Sequence, residues 1–276
     1  MTQQSEQAPD AACPGPWLLP VGGLIAALGA ICGIGGGLFS TPILHYGFHF
    51  QLRRAIATSL ALVSATALSA TVAESVRADS AIPWTVVAAI VPGALAGAQV
   101  GYRVGDRLKV WKLKLLFCIA LVIVGSKLLM VSGQGAWGLD YAPDLLDHLK
   151  AALLGLAAGF VVPILGIGGG MLMVPGMLLL VPGLGFSGAR ATSLAVASFI
   201  ASRSAFLYLR EGKLDLRDGR WIALGALAGA AVGVQLAHLP EVGPTGQVLL
   251  GVILLGSALR FGLDVFRLLA KSKSPS

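Results

Sequence analysis

Gly166-Ile167-Gly168-Gly169-Gly170-Met171-Leu172-Met173-Val174-Pro175 repeats an earlier stretch, Gly33-Ile34-Gly35-Gly36-Gly37-Leu38-Phe39-Ser40-Thr41-Pro42, at a separation of 133 residues. Three glycines in succession cannot continue a stable helix within an apolar run, because each lacks a Cβ and loses the most backbone freedom on ordering. A helix break is predicted at both places. Within lipid, a break is tolerated only where the freed N–H and C=O groups face protein or a water-filled cavity, and discontinuous helices of this kind build the substrate sites of transporters with internal repeats. The competing reading is close helix packing through small residues. Two copies with proline at the same offset favour the site.

Composition puts the chain in a membrane. Hydrophobic residues make up 56% and charged residues 12%, with a mean hydropathy of +0.82, against about a quarter charged in soluble domains. The net charge of +7 belongs to the loops and reads as topology rather than nucleic-acid binding. Cys13, Cys32 and Cys118 form no CxxC pair and give neither a disulfide framework nor a metal signature. The polar start, Met1 to Pro16, has no positive region ahead of the first apolar run, so that run is expected to remain as an anchor.

Apolar runs occur at Trp17–Cys32, Leu38–Gly47, Ala55–Ala73, Pro83–Gly101 and Leu113–Val131, and again at Leu149–Leu165, Met171–Val181, Ala189–Leu209, Trp221–His238 and Val248–Leu268. An all-α polytopic fold follows, with residues 1–16 as a tail, 17–131 as one membrane repeat, 132–148 as an extracytoplasmic linker, 149–268 as a second repeat and 269–276 as a cytoplasmic tail. The duplication extends beyond the glycines. Ala55-Ile56-Ala57-Thr58-Ser59-Leu60-Ala61 returns as Ala189-Arg190-Ala191-Thr192-Ser193-Leu194-Ala195, the Gly93–Gly101 block returns at Gly225–Gly233, and Gly125-Ser126 returns as Gly256-Ser257.

Charge decides how the halves sit. The loop after the fourth run of the first half carries Arg103, Arg107, Lys109, Lys112 and Lys114, whereas His238 to Gln247 holds no Lys or Arg. By the positive-inside rule the first loop is cytoplasmic and the second is not, so inverted repeats are expected. The segment Leu149–Val181 must then cross an even number of times, as a hairpin to the midplane or as two full crossings. Arg77, Lys150 and Arg190 fall on the outer side in this scheme.

A duplicated GxGGG break followed by Pro, then A-x-A-T-S near the start of the next span, then a G-A-x-x-G-A-x-x-G span ending in basic residues, resembles the sulfite exporter TauE/SafE family of membrane transporters. The likeness runs from Trp17 to Leu268. It implies a multi-pass carrier of the bacterial inner membrane, in a family linked to sulfite, sulfonates and related sulfur-containing anions.

The residues read for themselves also suit an anion. Helices starting at glycine turns present unpaired N–H groups and a positive dipole end, which assigns Gly35, Gly36 and Gly37 with Pro42, and Gly168, Gly169 and Gly170 with Pro175, to the substrate. Thr58, Ser59, Thr192 and Ser193 add hydroxyls, weighed against ordinary Ser/Thr packing in membrane helices. Arg203 stands inside the third run of the second half where the first half has Ser69; it is read as an anion-binding cation, against snorkelling or a pair with Glu74. Gly169 and Gly36 are expected to lie against the anion and to tolerate no side chain. His45 and His49, four apart, lack a third ligand nearby, and neither metal nor cofactor is expected. No catalytic constellation stands out, so an enzyme is not expected. The partners are a small anionic substrate and the bilayer, with a homodimer the one assembly considered and no nucleic acid. An anion channel and a carrier of non-sulfur organic anions are the alternatives.

Overall fold

A computed structural model of the chain describes residues 15–104, 118, 122, 126, 144–165, 169–212, 214, 216–239 and 242–273. Every regular element among them is helical: α1 (Leu18–Cys32), α2 (Gly37–Pro42) running into a π-turn at Ile43–Gly47, α3 (Leu52–Ser75), α4 (Trp84–Val104), α5 (Leu145–Leu165), α6 (Gly170–Leu180), α7 (Gly185–Arg210), α8 (Leu216–Ala237) and α9 (Val242–Lys273). Among the described residues, six helical segments are long and apolar enough to cross a membrane: Gly15–Cys32, Arg53–Ser75, Trp84–Val104, Leu145–Ile164, Gly185–Arg210 and Arg217–Ala237. The chain is a polytopic membrane protein. Two boundaries move from their expected places, since α5 starts inside the expected linker and α9 takes in most of the stretch from His238 to Gln247. The apolar run Leu113–Val131 lies outside the described residues except for 118, 122 and 126, which are helical.

The packing inverts that of a soluble protein. Leu24, Leu153, Leu224 and Leu259 project outward, while the interior is rich in Ala, Ser and Thr. Lipid tails are as apolar as leucine, so close backbone approach through small residues, rather than burial of large ones, holds such helices together.

Glycine seams show where the approach is closest. Gly225, Gly229 and Gly233 of α8 lie against the carbonyls of Leu19, Gly23 and Ala27 in α1, so tightly that a Cβ would enter each oxygen's contact shell. Gly93, Gly97 and Gly101 of α4 lie likewise against Ala152, Leu156 and Phe160 of α5. These are the same contacts with the halves exchanged: the first helix of each half packs on the fourth helix of the other. Residue numbers rise together along both pairs, so each pair is parallel.

The third helices of the halves behave differently. Ser64 Oγ of α3 is 2.7 Å from Ser202 Oγ of α7, and Glu74, near the end of α3, pairs with Arg190, near the start of α7. Equivalent helices therefore pass one another in opposite directions. The return arms are short: α6 has 11 residues, about 16 Å at 1.5 Å per residue, which is roughly half a hydrocarbon core. Gly37–Pro42 and Ile43–Gly47 occupy the matching place in the first half.

Candidate functional site

The first break is a left-handed turn. Gly33, Gly35 and Gly36 have φ of 76°, 73° and 81°, a region that costs an L-residue with a side chain about 1–2 kcal/mol. The turn folds back on α1, with the amides of Ile34 and Gly35 both donating to the Gly29 carbonyl at 2.9 and 3.2 Å. Gly36 then caps α2, its oxygen accepting from the amides of Phe39 and Ser40. Pro42 closes the α-helical part before the π-turn.

The second break is built differently. Gly168 lies outside the described residues, with Gly166 and Ile167. Gly169 is right-handed, with φ of −63°, and a Cβ there would rest at an ordinary 3.5 Å from Ile200 Cδ1. The expectation that Gly169 cannot carry a side chain is thus corrected on steric grounds, because its backbone is already helical and the space beside it is open enough. The constraint falls one residue later. A Cβ on Gly170 would sit 2.5 Å from Ile34 Cα and within contact of the Gly33 oxygen, so the two breaks touch backbone to backbone. Pro175 is buried in α6.

The hydroxyls take distinct places around this junction. Ser193 Oγ donates to the Gly33 carbonyl at 2.8 Å, tying α7 to the first break. Ser59 Oγ is 2.6 Å from Ser40 Oγ, which itself donates to the Gly37 carbonyl. Thr192 bonds back to Gly188 one turn earlier, the packing role weighed above. Thr58 Oγ1 is fully buried and has no hydrogen-bond partner among the described residues. An orphaned buried hydroxyl is uncommon in native proteins and points to a missing partner.

The charged residues have partners that the sequence did not show. Arg203 is bonded to Gln99 Oε1 at 2.8 Å rather than to Glu74. The arginine at the junction is Arg190, 2% exposed, whose Nη2 lies 2.9 Å from Glu74 Oε2. Its side chain packs so closely on the first break that a Cβ at Gly33 would stand 2.9 Å from Arg190 Cγ. It fills the variable position of the A-x-A-T-S motif, where the other half has Ile56. A cation in one copy of a duplicated apolar motif was the available signal. Glu74, also 2% exposed, further accepts from the Ala81 amide at 3.3 Å and faces His238 Nε2 at 3.2 Å. At the other end of the α3–α8 pair, Arg54 Nη2 bonds buried Asp218 at 2.8 Å. His45 Nδ1 lies 2.8 Å from the Phe50 carbonyl oxygen. Lys127 and the Arg260 side chain lie outside the described residues.

Comparison with known proteins places these features in a family. The chain is 28% identical over 232 residues to a probable membrane transporter protein of Xylella fastidiosa, covering 78% of this chain and 82% of that one. It is 25% identical over 244 residues to the probable membrane transporter protein YdhB of Bacillus subtilis, covering 86% and 97%. A third relative, the probable membrane transporter protein ORF9 of Sinorhizobium, is 36% identical over 123 residues, 44% of this chain and 45% of that one. No solved structure matches the chain. The family model for the sulfite exporter TauE/SafE matches residues 2–128 and 151–275, one segment for each half. This chain belongs to the sulfite exporter TauE/SafE family of membrane transporters.

Proposed function

We propose that the protein is a secondary transporter carrying a small sulfur-containing anion, sulfite or an organosulfonate, across the bacterial inner membrane, and that its halves are inverted repeats. The observation that carries this reading is the contact of the two glycine breaks, Gly170 against Gly33 and Ile34. Both return arms start there, so two positive helix ends and their first, unpaired amides converge on one buried place. An oxyanion at that place is stabilised by amides and by the Thr58 hydroxyl, with the Arg190–Glu74 pair packed beside the first break. Antiparallel crossing of the equivalent helices α3 and α7, together with the exchanged glycine seams, supports inversion. Movement of one helix bundle against another about such a junction is the usual basis of alternating access.

The test is flux in proteoliposomes holding the purified protein. Labelled sulfite and methanesulfonate are expected to move faster than in empty liposomes and to accumulate above equilibrium when an ion gradient is imposed. Downhill movement with no accumulation under any gradient makes the protein an anion channel. Failure of both anions while a simple carboxylate moves shifts the substrate to non-sulfur organic anions.

A further inference from the structure

We propose that His238 and Glu74 form a proton-binding site that couples anion transport to the proton gradient, an inference that rests on the transporter reading above. His238, directly after α8, has both ring nitrogens facing oxygen: Nδ1 lies 2.9 Å from the Val234 carbonyl and Nε2 lies 3.2 Å from Glu74 Oε1. A carbonyl only accepts, so Nδ1 carries a hydrogen. With Nδ1–H fixed, an unprotonated Nε2 and an ionised carboxylate would point lone pair at lone pair across that gap. The arrangement is satisfied when one further proton lies between them.

Glu74 also accepts from Arg190 and from the Ala81 amide. With that proton in place, on either group, the cluster of Arg190, Glu74 and His238 carries one net positive charge. Its loss leaves the cluster neutral. Among the described residues, the other charged groups nearby are Arg77 and Asp79, on the loop after α3. These two are bonded to each other, and Arg77 also reaches Gln235 of α8.

The site is connected to the breaks by the same arginine that holds the carboxylate. Arg190 packs on Gly33, and its Nη1 lies 3.5 Å from the Ala30 carbonyl. A proton at His238 raises the positive potential beside the junction, so proton and anion favour each other's binding, each to the same factor. The residues come from both halves, Glu74 from the first and Arg190 and His238 from the second, so the proton also holds the halves together at this end.

Two measurements test the proposal. In proteoliposomes, methanesulfonate is the probe because its charge does not change with pH. The wild type is expected to accumulate it several-fold when the pH gradient is imposed, and H238Q to give a driven-to-undriven flux ratio of one. An H238Q protein that keeps the wild-type ratio overturns the proposal. Histidine 15N NMR in nanodiscs reads the site without any substrate, with H238Q assigning the signal among the four histidines. The Nε2 proton is expected to bind about tenfold more weakly in E74Q, one carboxylate charge being removed. Identical titration of His238 in E74Q and wild type overturns the proton site whether or not an anion moves; absence of methanesulfonate flux in the wild type, with NMR coupling intact, overturns the substrate assignment alone.

Discussion

Moving a single methyl group by one residue along the second break separates the readings of the glycine run. In Gly170→Ala the new Cβ lands 2.5 Å from Ile34 Cα, where ordinary contact begins near 3.4 Å. The facing break must therefore retreat by about 1 Å, and backbone rather than a flexible side chain has to move. Overpacking of this kind costs about 1–3 kcal/mol, with the rigid opposing backbone placing it near the upper end. In Gly169→Ala the Cβ meets only Ile200, Val162 and Met173 side chains at 3.5 Å or more, with φ already at −63°. The expected cost is near zero, or a gain of some tenths of a kcal/mol from propensity. Thermal unfolding in detergent, followed by tryptophan fluorescence, should rank the proteins Gly169→Ala ≥ wild type > Gly170→Ala. Transport of the labelled anion should persist in the first and collapse in the last. Equal stability and equal flux in the two variants would mean that the breaks do not meet and that the glycines only ease packing elsewhere.

Other consequences are as direct. Gly36→Ala combines a φ of 81° with a Cβ 2.8 Å from Ile25 Cγ2, so it should lose about 2–3 kcal/mol, read as a lowered unfolding temperature. Arg190→Met removes the charged partner of buried Glu74 and should cost about 3–5 kcal/mol; adding Glu74→Gln is expected to restore part of it, and strict additivity in the double-mutant cycle would deny the pairing. Thr58→Val removes an unpartnered buried hydroxyl, so stability should hold or rise by up to about 1 kcal/mol while anion affinity falls; unchanged affinity would remove Thr58 from the site. Single cysteines in the Arg103–Lys114 segment should resist labelling from the periplasmic side of intact cells, and those beside His238 should accept it, and equal labelling would contradict the inversion.

Much of this architecture is written in the chain because glycine leaves a mark wherever backbones must touch. The Gly93–Gly101 and Gly225–Gly233 blocks repeat because both seams need carbonyls at the same rise along a helix, and the triple glycines repeat because both arms must break. Sequence could not show that the seams join opposite halves, since spacing along one helix says nothing about its partner. Nor could it show that the two breaks differ: the handedness of Gly36 against that of Gly169 depends on what the backbone rests on. Arg190 was legible as an anomaly in a duplicated motif, but its partner Glu74 sits at a helix end more than a hundred residues away. Arg203 drew attention by its place in an apolar run and by the Ser69 that stands for it in the first half, and its bond to Gln99 joins two spans whose adjacency no local pattern encodes.

The exchanged seams bear on how the protein is made. The carbonyls of α1 that receive Gly225 and Gly229 of α8 are synthesised about two hundred residues earlier, which at 5–20 residues per second is roughly 10–40 s. During that interval α1 stands in the bilayer beside lipid or a chaperone, its seam open, and α5 in turn meets an α4 that has been waiting. Neither half contains a complete set of partners for its own helices. A gene cut in the linker should yield two polypeptides that are degraded when made alone and that assemble when made together.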